Sequence, residues 1–178
     1  MENKKILIIS GNGRNTGKTS FLCRVISAHK NKYPVTAIKI SPHFHPDTST
    51  SAAIISNNNY SIFVENDPRR SKDSSRMIAA GATKVYYIEA IDEHLAEAWR
   101  ALSPLIADAG PVVCESGGLR NLLKPSLFIM LNRSERVEIK DSFKKLSPLA
   151  DKIVSFNGNS FDHAPEEIHF DGKGWEMK

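Results

Sequence analysis

The sequence predicts an α/β fold in three layers, a mostly parallel sheet with helices on both faces. Two patterns carry that expectation. Short apolar and β-branched runs alternate with stretches of helical period along the chain, and parallel strands need crossover connections of this kind. The first run also passes directly into a glycine-rich turn and then an amphipathic helix, so a ligand is expected at the carboxyl edge of the sheet. With 178 residues, the chain is expected to form one domain, with core enough to need neither disulfides nor a structural metal.

Ile6, Leu7, Ile8 and Ile9 predict a strand buried on both faces. Phe21, Leu22, Val25, Ile26 and His29 then recur at helical spacing, with His29 expected partly exposed at the helix end. The β-branched run 35–40 predicts a second strand carrying Lys39 near its carboxyl end. Residues 41–72 read as an irregular insertion, polar as far as residue 59, with an edge strand or hairpin at 60–65. Asp73 is expected to N-cap a short helix closed by Gly81.

Residues 84–89 predict another strand. Leu95, Ala98, Trp99, Leu102, Leu105 and Ile106 share a helical face that Pro104 ends early. The buried strand 111–115 delivers Glu115 to a turn at Ser116, Gly117 and Gly118. Strands follow at 127–131 and 153–156, separated by a helix containing Phe143 and Leu146, and residues 168–175 suggest a small hairpin.

The stretch Gly11-Asn12-Gly13-Arg14-Asn15-Thr16-Gly17-Lys18-Thr19-Ser20 predicts a phosphate-binding loop, and with it the P-loop nucleoside triphosphate hydrolase fold. A triphosphate needs close backbone approach, several N–H donors and positive charge at one point. Glycines allow the approach, the helix N-terminus supplies donors and the positive end of its dipole, and Lys18 reaches the β- and γ-phosphates. Thr19 would hold Mg²⁺ through its hydroxyl. Asn12 stands where the common spacing has glycine, and Gly11 makes the loop one residue longer; asparagine tolerates a left-handed backbone. The competing reading is a plain strand–turn–helix connection.

Phosphoryl chemistry also needs an acid to organise the metal, and Glu115 is placed for that role; a carboxylate that caps the next turn is the competing reading. His43, His45 and Asp47 alternate along an extended segment, which suits an anionic second substrate better than zinc, since no fourth ligand stands at a recognisable spacing, and a plain surface loop accounts for them equally. Arg69, Arg70 and Arg76 match phosphate geometry, although a solvated basic turn accounts for Arg69 and Arg70 equally. Asn132-Arg133-Ser134-Glu135 stands where guanine-reading proteins carry Asn-Lys-x-Asp, so GTP is slightly preferred over ATP.

These residues resemble molybdopterin-guanine dinucleotide biosynthesis protein B, the MobB family. The likeness lies in the loop through Thr19, in Ile38-Lys39-Ile40-Ser41-Pro42-His43 with His45 and Asp47, and in Lys72-Asp73-Ser74-Ser75-Arg76 leading to Ala80-Gly81-Ala82. The resemblance implies a GTP-binding accessory with slow hydrolysis that assists attachment of GMP to molybdopterin, as a homodimer beside a transferase. Lys39, His43, His45 and Arg76 would then face molybdopterin or another anionic small molecule. The longer loop, the 48–66 insertion and Ser116 depart from that pattern. The spacing Gly11-x5-Gly17-Lys18-Thr19 and the turn Glu115-Ser116-Gly117-Gly118-Leu119 are similar to dethiobiotin synthetase, which implies an ATP-dependent carboxylase or ligase instead. A nucleotide-switched regulatory or scaffold protein is the third reading.

A formal charge of +4 with acids and bases interspersed does not imply nucleic-acid binding. Cys23 and Cys114 are expected as buried free thiols in a reducing, cytoplasmic setting. No apolar stretch is long enough to cross a bilayer, and no membrane partner is expected.

Overall fold

The computed structural model describes residues 2–44, 52–69, 71–135 and 138–177. The first apolar run lies inside β1 (Glu2–Gly11), followed by α1 (Lys18–His29) and β2 (Thr36–Ser41). The insertion contributes a hairpin, β3 (Ile55–Ser56) and β4 (Tyr60–Glu65), before α2 (Asp73–Ala79) and β5 (Lys84–Ala90). Next come α3 (Leu95–Leu102), β6 (Val112–Glu115) and β7 (Lys124–Arg133). The chain closes with α4 (Asp141–Leu146), β8 (Lys152–Phe156), β9 (Ile168–Phe170) and β10 (Trp175–Met177).

Eight strands form one sheet in the order β3-β4-β5-β2-β6-β1-β7-β8. Pairings from β5 through β8 are parallel, and β3 and β4 add an antiparallel edge. The chain leaves β1 toward β2 on one side and later returns past it to β7 on the other, with β6 filling the gap beside β1. That reversal opens a crevice at the carboxyl ends of the central strands, where open α/β sheets place ligands.

Strand alternation separates the core into two layers. Leu7, Ile9, Ala37, Val85 and Val113 pack under Phe21, Leu22, Val25 and Ile26 of α1 and Met77 of α2. On the opposite face Ile6, Ile8, Ile38, Ile88 and Cys114 meet Leu95, Trp99 and Leu102 of α3 and Phe143 and Leu146 of α4. Pro104 lies in a 3₁₀ turn, Ser103–Ile106, directly after α3, because proline cannot continue the α-helical ladder. α2 ends as expected: Gly81 has φ +106°, its N–H bonds Ile78, and the Ala82 N–H bonds Met77.

Two expectations are corrected. The N-cap of α2 is Lys72; Asp73 is the first helical residue and its carboxylate turns toward Lys39, a charge partner that outcompetes backbone capping. His29 is buried: its Nδ1–H donates to the Val25 carbonyl at 2.9 Å, and its ring meets Trp175 edge-on at 5.0 Å.

The β9–β10 hairpin seals the amino edge of the sheet under α1. The buried Trp175 indole N–H lies 3.0 Å from the Lys5 carbonyl and 3.1 Å from that of Val112, so one side chain ties β1 to β6. Trp175→Ala is expected to cost about 3–5 kcal/mol through cavity formation, and Trp175→Phe about 1–3 kcal/mol through the lost donor. Urea unfolding checks both, and a fall below about 1 kcal/mol for the alanine variant would contradict the clamp.

Candidate functional site

Residues 11–17 form an arch between β1 and α1. Gly13, Asn15 and Gly17 have φ of +88°, +59° and +82°, so Asn15, rather than Asn12, is the asparagine that adopts the left-handed conformation. A Cβ on Gly11 would stand 2.6 Å from the Leu131 carbonyl oxygen, which leaves no room for a side chain at the start of the arch. Gly17 faces the Phe156 and Phe161 rings, which stack at 4.7 Å, and a Cβ there would come within 3.0 Å of both.

Asn12 acts as a brace. Its buried amide donates to the Asn132 side-chain oxygen at 3.0 Å and the Glu138 carbonyl at 2.9 Å, and its oxygen accepts from the Lys140 N–H at 3.0 Å. Asn132 is thereby tied to the arch, while Arg133 and Glu135 form an outer pair at 3.7 Å. Lys18, the first residue of α1, bends back over the arch and donates to the Gly13 carbonyl at 2.6 Å and to Thr16 Oγ1 at 3.3 Å. Arg14 and Asn15 are exposed and Thr16 is buried.

The sheet supplies the opposing charge. Glu115 ends β6 beside Ile9 of β1 and Lys39 of β2, and alternation aims both charged residues to the α1 side, as it does Val113 and Ala37. The Thr19 hydroxyl donates to Glu115 Oε2 at 2.7 Å, and Lys39 Nζ donates to Glu115 Oε1 at 2.6 Å and to Asp73 Oδ2 at 2.9 Å. Arg76 extends the network, donating to Ser20 Oγ at 2.9 Å while its Nη1 lies 3.6 Å from Asp73 Oδ1.

Burial sets the energetics. The Glu115 side chain is 4% exposed and that of Lys39 is 18%, so removal of one partner strands a charge, at a cost of about 3–5 kcal/mol in comparable pairs. Burial works against the Lys39 ammonium, but Glu115 and Asp73 outweigh it and hold its pKa above the ordinary value. Burial likewise opposes the Asp73 carboxylate, and Lys39, Thr19 and Arg76 overcome it and hold its pKa below the ordinary value. Both cysteines are free; burial pushes the Cys23 thiol up to about 11 and that of Cys114 higher still, so neither is a ready nucleophile.

The structure thus gathers Lys18, Thr19, Ser20, Lys39, Arg76 and Glu115 at one end of the sheet. His43 is exposed, two residues beyond β2, with its backbone N–H on the Ser41 hydroxyl. His45, Asp47 and Arg70 lie outside the described residues. Arg69 is exposed and pairs with Asp67 of its own turn, the solvated arrangement. Asp73 is the site residue that sequence reasoning missed, because an acid at a helix start reads equally as a cap. Among the described residues no group of three or more His, Cys, Asp or Glu could hold a metal by itself, and no helix is long and apolar enough to cross a membrane.

Linkage fixes the pH behaviour of the network. A depressed Asp73 pKa contributes stability above the unfolded value of 3.8, lost as pH falls through the lower folded value. A raised Lys39 pKa contributes stability below 10.5, lost as pH rises through the higher folded value. The stability gap between wild type and Asp73→Asn is expected to stay level from about pH 7 to about pH 5 and to shrink below 3.8, read from urea midpoints. A gap unchanged to about pH 2 would show that Asp73 contributes nothing through its charge.

No protein-family model, curated protein or solved structure matches the chain, and its functional reading stands on this geometry.

Proposed function

We propose that the chain is a Mg²⁺-dependent nucleoside triphosphate-binding protein with slow hydrolysis, GTP slightly preferred over ATP. The observation that carries this reading is the pairing of a lysine curled over a glycine arch with a hydroxyl–carboxylate contact one residue later, Lys18 on Gly13 and Thr19 on Glu115. A polyphosphate entering the arch would take over the Lys18 ammonium from the Gly13 carbonyl, exchanging a neutral acceptor for a charged one. The N–H groups at the start of α1 and the positive end of its dipole favour the same anion.

The oxygens of Thr19, Glu115 and Asp73 suit Mg²⁺, which accepts few protein ligands and completes its shell with phosphate and water. Bound there, the ion would neutralise charge developing on the β- and γ-phosphates. Both Glu115 oxygens are already engaged, by Thr19 and Lys39.

The narrower role is that of a MobB-like accessory in molybdopterin guanine dinucleotide formation, supported by the sequence resemblance. Arg76, exposed beside Ser20, and His43 are the described groups open to an anionic second ligand such as molybdopterin.

Titration of fluorescent GTP and ATP analogues with Mg²⁺ tests the core claim. Lys18→Ala is expected to weaken triphosphate binding by roughly 100-fold without changing the fold. Wild-type protein that binds neither nucleotide would sink the proposal, and tight ATP binding without affinity for molybdopterin would remove the narrower role.

A further inference from the structure

We infer that Lys39 is a built-in stand-in for a divalent cation. It neutralises Glu115 and Asp73 before metal binds, bars free metal from them, and yields when the ion arrives with a polyphosphate, a release step that rests on the nucleotide reading. The geometry is that of a filled cation site. One ammonium lies 2.6 Å from a Glu115 oxygen and 2.9 Å from an Asp73 oxygen. The Thr19 hydroxyl donates to the other Glu115 oxygen at 2.7 Å. Two carboxylates and a hydroxyl are ligands a hard cation takes, and here the two carboxylates hold a lysine while the hydroxyl sits on the second oxygen of one of them.

Two carboxylates held this close repel unless a cation lies between them. A tethered ammonium has a high effective concentration, whereas Mg²⁺ in solution sheds its water reluctantly, so the free ion is the weaker competitor. Phosphate oxygens reverse that order, because they add ligands and negative charge beside the same carboxylates. Lys39 stands on the strand beside Glu115, in register with it, and Tyr87 of β5 lies on its other side. Once released, its ammonium stays at the carboxyl edge, available to a second anionic ligand.

Mn²⁺ alone, followed by electron paramagnetic resonance and by its effect on Tm, tests the role without nucleotide. Wild type is expected to bind Mn²⁺ weakly, and Lys39→Met to bind one ion at least about tenfold more tightly and to gain Tm with it. Adding Asp73→Asn to Lys39→Met is expected to remove the gain. Equal Mn²⁺ affinity in wild type and Lys39→Met overturns the role. Should Lys39→Met fail to fold, wild type alone decides: Mn²⁺ uptake that requires a non-hydrolysable triphosphate supports the role, and tight uptake without one overturns it. Failure of the nucleotide reading shows separately, as wild type that binds neither GTP nor ATP, and leaves the Mn²⁺ comparison intact.

Discussion

A carboxylate buried in the middle of a sheet has to be neutralised where it stands, and Glu115 is such a carboxylate. Its strand lies between β1 and β2, so the charge can be met only from neighbouring strands or from the helix start above. Both answer: β2 brings Lys39 and α1 brings the Thr19 hydroxyl. Lys39 in turn draws in Asp73, which fixes how α2 lies against the sheet, and Arg76 then links α2 to Ser20 of α1. Two helices and two strands are held in mutual position by one chain of charges.

The arch above this network owes its shape to different forces. Steric exclusion acts at Gly11, where the Leu131 carbonyl comes close, and positive φ at Gly13, Asn15 and Gly17 bends the backbone around Lys18. Asn12 then fastens the arch to the end of β7 at Asn132 and to the segment after it at Glu138 and Lys140. An arch braced in this way and facing a neutralised acid is preorganised.

Much of this was legible in the residues. The apolar runs, the glycine turn and the strand ending in Glu115 are local patterns, and each lies inside the element expected of it. Their places at the carboxyl ends of two strands were enough to suggest that Lys39 and Glu115 matter, but not that they touch. That contact depends on β2 and β6 being neighbours, a consequence of strand order that no local pattern encodes. His29 was misjudged for a related reason, since the surface it packs on is Trp175, far along the chain. Asp73 was misread because its chemistry suits two roles and only the tertiary partner selects one.

The two tryptophans of the chain fall one to each layer, Trp99 on α3 and Trp175 beneath α1. Each indole therefore reports on the solvation of a different side of the sheet, while both stand apart from the charged network. Emission from single-tryptophan versions would register whether the two halves of the interior melt together or in succession, turning the asymmetry of the sandwich into an optical readout of cooperativity.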